Sequence, residues 1–116
     1  MDKNVKVYLY DILDSINEIE EFILGNRTYE YYSNNKILQR AIERNLEIIG
    51  EAMNRILKLN NDFPIQNAKD VINTRNKIIH GYEQVDHTII WSIVINHLPL
   101  LKTEVEKLLN ENNTQK

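Results

Sequence analysis

Thr74-Arg75-Asn76-Lys77-Ile78-Ile79-His80-Gly81-Tyr82 gathers an arginine, an amide, an imidazole and a phenol beside a glycine suited to ending a helix. On a helix Asn76 and His80 are four apart and share a face. An amide so placed can hydrogen-bond an imidazole nitrogen and fix its tautomer. That suits a proton-transferring histidine, whose ordinary pKa of about 6.5 lies close to working pH. Arg75 and Tyr82 are seven apart and nearly aligned, and an arginine offers a permanent positive fork to a phosphate. On composition alone, however, a helix in which such residues alternate with Ile78 and Ile79 is ordinarily a solvated face above a core. Residue types leave both readings open.

Little else in the chain competes for chemistry. There are 3 His and 0 Cys, with no His-x-x-x-His or Glu-x-x-His pair, so neither a metal nor another cofactor is expected. His87 and His97 are ten apart, about 80° around a helix at 3.6 residues per turn, and read as surface or helix-end histidines. No glycine-rich phosphate loop and no nucleophile elbow occurs. The sequons at Asn26-Arg27-Thr28 and Asn112-Asn113-Thr114 would matter only on a secretory route.

The elements that must position the Arg75–Tyr82 segment follow from apolar spacing. Val5, Tyr8, Leu9, Ile12, Leu13, Ile16, Ile19, Phe22 and Ile23 recur at threes and fours and predict one amphipathic helix ending near Gly25-Asn26. Residues 27–35 place Tyr29, Tyr31 and Tyr32 among polar neighbours without a helical period and read as a loop. A second helix starts near Asn34-Asn35-Lys36 and carries Ile37, Leu38, Ala41, Ile42, Leu46, Ile49, Ala52, Met53, Ile56 and Leu57. Asn60-Asn61-Asp62-Phe63-Pro64 stops it. A third helix runs from near Asn67 to Gly81. A fourth, with Asp86 as N-cap, holds Ile89 through Leu109, and Pro99 predicts a kink or break near Asn96 to Leu98.

These segments predict an all-α fold, an antiparallel helical bundle forming a single domain over residues 1–109 with a polar tail over 110–116. The chain has 116 residues, 42% hydrophobic and 27% charged, which suits one folded unit and leaves no room for a second core. With 3 Gly, 2 Pro and 0 Cys, turn-rich β architectures and disulfide scaffolds are poorly supplied. No apolar run approaches the roughly 20 residues of a membrane span, so a cytoplasmic location is the expectation. Net charge is −3, and residues 1–25 hold two basic against six acidic side chains. No basic stripe suited to gripping a long duplex stands out, so any nucleic-acid contact must be local. Helix 1's apolar row and the Trp91 region are candidate surfaces for dimerisation.

Arg75 to Tyr82 reads R-x-x-x-x-H-x-Y with Asn directly after the Arg, and this resembles the signature of the HepT family of HEPN-type ribonucleases. The run Arg44-Asn45-Leu46-Glu47-Ile48-Ile49-Gly50-Glu51-Ala52 is similar to that family's second helix. So is the stretch from Val85-Asp86 through Ile90-Trp91 to Leu98-Pro99-Leu100-Leu101. The likeness covers the chain from about Val5 to Leu109, in the same order. It implies a four- to five-helix HEPN-type bundle, a homodimer with both Arg/His pairs lining a cleft at the two-fold axis. It also implies metal-independent cleavage of RNA, transfer or messenger, by the toxin of a type VII-like toxin–antitoxin pair. The implied partner is a minimal nucleotidyltransferase of the MntA kind, which silences the toxin by moving AMP from ATP to the motif tyrosine. Carried over, Arg75 and His80 are catalytic, Asn76 supports them and Tyr82 is modified. The alternative is a non-catalytic helical adaptor or substrate-binding subunit of such a nucleotidyltransferase, and a third reading is a helical dimer without a site.

Overall fold

A computed structural model describes residues 1–66, 68–80 and 86–114; the side chains of residues 68, 75, 77–80 and 112–114 lie outside that description. Its elements are α1 (Lys3–Ile23), α2 (Tyr29–Ser33), α3 (Lys36–Leu59), α4 (Ala68–His80), α5 (His87–Ser92), a π-helical turn (Ile93–His97) and α6 (Leu98–Thr114). No strand occurs among the described residues, and the fold is all-α. The start and stop signals are visible at several ends. The Asp2 carboxylate accepts from the Asn4 N–H at 2.7 Å, and the Asn35 side chain accepts from the Leu38 N–H at 3.0 Å. At the far end of α3, the chain leaves the helix at Asn60 in extended conformation.

α1 and α3 form the centre of the bundle. Glu18 meets Asn45, and Tyr8 lies under the Arg55 guanidinium at 5.8 Å, so the two helices run antiparallel. The periodic residues of α1, namely Val5, Leu9, Ile12, Ile16, Ile19 and Ile23, are buried against Ile42, Leu46, Ile49, Met53 and Ile56 and the rest of one core. Each such side chain contributes about 1.5–3 kcal/mol of burial. The apolar row of α1, one of two candidate dimerisation surfaces, is therefore spent inside its own chain. α4 packs on the other flank of α3, and α6 returns along α1, where Lys102 Nζ lies 2.9 Å from Glu20.

Two local expectations change. The Tyr29–Ser33 stretch is a helical turn, not a loop. The Thr28 hydroxyl caps it by accepting from the Tyr31 N–H, and Gln39 on α3 donates to the carbonyls of Tyr32 and Ser33, both at 2.9 Å. Five residues are too few to show a helical period, and the clamp comes from another element. The disturbance before Pro99 falls where expected, but as a π turn within a continuous helical run. The Leu98 N–H reaches back to the Ile93 carbonyl. Widening the turn there accommodates a proline that lacks a donor and would crowd the carbonyl four residues earlier. The helical backbone of α6 continues to Thr114.

Candidate active site

α4 is the element that carries the motif. Asp70 stands in its first turn, where a negative charge favours the positive end of the helix. Val71 and Thr74 turn inward, and the Thr74 hydroxyl, almost fully buried, donates to the Asp70 carbonyl at 2.9 Å. That inward row seats α4 on α3 and leaves Asn73 and Asn76 exposed on the other side. Arg75, Asn76 and His80 thus stand on one helix, with His80 as its last residue. The side chains of Arg75 and His80, and Gly81 and Tyr82 altogether, lie outside the described residues.

The chain resumes at a firmly fixed point. Asp86 caps α5 as expected, its carboxylate accepting from the Thr88 N–H at 3.0 Å and the Ile89 N–H at 3.4 Å, and from the Thr88 hydroxyl. The Thr88 hydroxyl bond, with smaller help from the backbone donors, holds the Asp86 carboxyl below its usual pKa. His87 follows immediately, and its Nδ1 lies 2.9 Å from the Tyr32 hydroxyl, 55 residues away in sequence. Tyr32 is fully buried, stacks on Trp91 at 5.3 Å between centroids and meets the His87 ring edge-on at 5.6 Å. Burial, reinforced by the neighbouring Glu43, raises the Tyr32 phenol well above its ordinary range. The Tyr32 hydroxyl and His87 Nδ1 share a single hydrogen bond, in which the His87 tautomer decides which of the two donates. Glu43 on α3 is itself raised, first by burial and then by Glu47, with His87 and Arg40 opposing.

His87 is a helix-end histidine, as its position suggested, but nothing in the residue spacing points to its partner. Tyr32 sits in the stretch that shows no periodicity, and its contacts are made across two helices. His97, the last residue of the π turn, is half-buried, and its Nδ1 is sealed from solvent with no hydrogen-bond partner among the described residues. Among the described residues, no group of three or more His, Cys, Asp or Glu is placed to hold a metal ion. No helix among them is long and apolar enough to cross a membrane.

The family described as Ribonuclease HepT-like matches residues 12–108. This chain belongs to the HepT-like ribonuclease family. "Putative RNase MJ1380" of Methanocaldococcus jannaschii is 42% identical over 108 residues, covering 90% of this chain and 95% of that one. "Probable ribonuclease HepT" of Thermococcus cleftensis is 38% identical over 112 residues, covering 93% of this chain and 98% of that one. "Putative RNase TTE0752" of Caldanaerobacter subterraneus is 31% identical over 113 residues, covering 94% and 97%. No solved structure matches. The HepT-like region takes in α2, α3, α4 and α5, and therefore both the Arg75–Tyr82 segment and the Tyr32–His87–Trp91 cluster.

Proposed function

We propose that this chain is the ribonuclease toxin of a toxin–antitoxin pair, acting in the cytoplasm as a homodimer and cutting RNA without a metal. Membership of the HepT-like ribonuclease family over residues 12–108, a span that includes the whole R-x-x-x-x-H-x-Y segment, is the observation that carries this reading. RNA contains its own nucleophile. When the 2′-oxygen attacks the adjacent phosphorus, the bond to the 5′-oxygen breaks and leaves a 2′,3′-cyclic phosphate and a 5′-hydroxyl. His80 moves protons in this step, a contribution of about 10²–10⁴-fold. Arg75 stabilises the charge that builds on the phosphoryl oxygens. Asn76, four residues before His80, holds the imidazole tautomer. Pairing two copies at a symmetry axis doubles the local positive charge, which lets a chain of net charge −3 hold a polyanion.

Tyr82 is the acceptor for AMP from a partner nucleotidyltransferase of the MntA kind. An adenylyl group two residues from His80 adds bulk and a negative phosphate near Arg75, and it competes with the RNA backbone for the same place. The test has two parts. Purified protein in chelator should cleave RNA but not its all-deoxy counterpart, and Arg75→Ala and His80→Ala should each lower cleavage by about 10²–10⁴-fold with the far-UV spectrum intact. After co-expression with a nucleotidyltransferase encoded beside it, intact mass should rise by adenylyl increments that Tyr82→Phe removes. Cleavage that survives both alanine substitutions would refute the catalytic assignment. Absence of cleavage by wild type, with partner activity dependent on the chain, would favour the adaptor.

A further inference from the structure

Beside the motif helix lies a cleft of about 340 Å³, lined by Asp70, Asn73 and Thr74 of α4, by Ile89 and Ser92 of α5, and by Ile93 and His97 of the π turn. From its chemistry we infer that the cleft is a nucleobase subsite selective for guanine. This assignment rests on the ribonuclease reading of the Arg75–Tyr82 segment and names what the strand presents next to it.

The described lining disfavours a phosphate. It holds no lysine or arginine, and the Asp70 carboxylate would repel a backbone oxygen. What it offers is an apolar wall and a few polar groups, the usual make-up of a site for a small planar ring. Ile89, 42% exposed, and Ile93 supply the apolar part of the lining. Asp70 in the first turn of α4 is accounted for by the helix dipole, but that does not explain an open isoleucine and an exposed asparagine facing the same space.

The hydrogen-bonding inventory narrows the ring. Thr74 is committed to the Asp70 carbonyl and the Ser92 hydroxyl accepts from Asn96, whereas the Asp70 carboxylate and the Asn73 amide have no partner among the described residues. An ionised carboxylate only accepts, so it demands a base edge with adjacent donors. Guanine presents N1–H and the 2-amino group side by side. Adenine and cytosine each set a ring-nitrogen acceptor beside their single amino group, and uracil flanks its N3–H with two carbonyls, so each would aim a lone pair at one carboxylate oxygen. The Asn73 amide is free to meet the guanine O6. The π turn brings His97 into the wall, and π-helical turns gather at functional sites.

Distance supports the same strand. Position 73 precedes position 80 by two turns on one row of α4, about 10 Å along the axis. That is the reach from a cleaved phosphate to the base of a flanking nucleotide.

The experiment compares matched oligoribonucleotides with guanosine, adenosine or inosine beside the cleaved bond, using wild type, Asp70→Asn and Asn73→Ala. Wild type should prefer guanosine over adenosine by about 10–100-fold in kcat/KM, the range of a good bidentate base contact. Inosine, which lacks the 2-amino group, should lose about tenfold of this. In Asp70→Asn the guanosine-to-adenosine ratio should fall to near one, and inosine should match guanosine. Independently of cleavage, guanosine 5′-monophosphate should shift amide resonances of residues 70–74 and 89–97 in wild type but not in Asp70→Asn. If cleavage depends on Arg75 and His80 yet shows no guanosine preference and no such shifts, the subsite is wrong and the catalytic assignment stands. If guanosine 5′-monophosphate shifts those resonances but no RNA is cut, the subsite stands and the catalytic assignment falls.

Discussion

The α1–α3 pair and the α4–α5 edge are built to opposite specifications. On α1 and α3, Ile12, Ile16, Ile19, Ile42, Ile49, Met53 and Ile56 are entirely sealed from solvent. On α4, among residues whose side chains are described, only Val71 and Thr74 are buried, and on α5 only Ile90. The first pair supplies apolar area; the second carries Asp70, Asn73, Asn76 and the motif. Under the proposed assignment stability and chemistry are drawn from different helices, and substitutions in the two regions should separate cleanly.

The largest expected effect lies on the motif side. His80→Ala should lower RNA cleavage by about 10²–10⁴-fold, read as initial rates on a labelled oligoribonucleotide, with unfolding midpoints close to wild type. Arg75→Ala should do the same. Next comes the core: Ile16→Ala, fully buried on α1, should cost about 2–5 kcal/mol in urea unfolding, with activity per folded molecule retained at low temperature. If Ile16→Ala instead reduced the rate of the folded protein as strongly as His80→Ala, the division between the regions would be wrong.

Tyr32→Phe probes the place where the two regions meet. It keeps the stacking on Trp91 but removes the hydroxyl that lies 2.9 Å from His87 Nδ1. A loss of about 0.5–1.5 kcal/mol is expected. Nitrogen chemical shifts of His87 should show the change: the hydroxyl ties Nδ1 and biases the wild-type ring toward one tautomer, and in the variant that preference weakens. A tautomer unaffected by the substitution would mean that the contact does not orient the ring.

This contact also marks the limit of what the sequence discloses. The apolar rows of α1 and α3 are readable because each repeats over five or more turns, and their burial follows from the period alone. Asp86 is readable as a cap because capping is decided within three residues. Tyr32 is not, since its burial depends on partners 55 and 59 positions later and its own helix is too short to show a period. Pro99 announces a disturbance, but whether the chain breaks, kinks or widens into a π turn is set by how Ile93, Val94 and Leu98 pack. The motif is visible for a different reason: its residue types leave a solvated face open as a reading, and the resemblance to the HepT family is what singles out Arg75, Asn76, His80 and Tyr82. A cleft made by approach of two helices, such as that with Asp70 and Asn73 on one wall and Ile89 on the other, declares nothing until the helices are placed.

The smallest effect tests whether the cluster around His87 is held by burial or by charge. Burial is the largest influence on Glu43 and raises its pKa, so the folded protein binds this proton more tightly than the unfolded chain does. A raised carboxyl favours the folded state fully below its unfolded pKa, near 4.5, and that contribution is lost as pH rises through the higher folded value. Glu43→Gln removes the titration while keeping shape and a hydrogen-bonding head. The variant should therefore be slightly more stable than wild type at pH 7.5, and the difference should close as pH falls below about 4. Urea unfolding at the two pH values measures it. A variant less stable at pH 7.5 would mean that attraction to His87 and Arg40 outweighs desolvation. The cluster would then be an ion-paired joint between α3 and α5, and salt would loosen it.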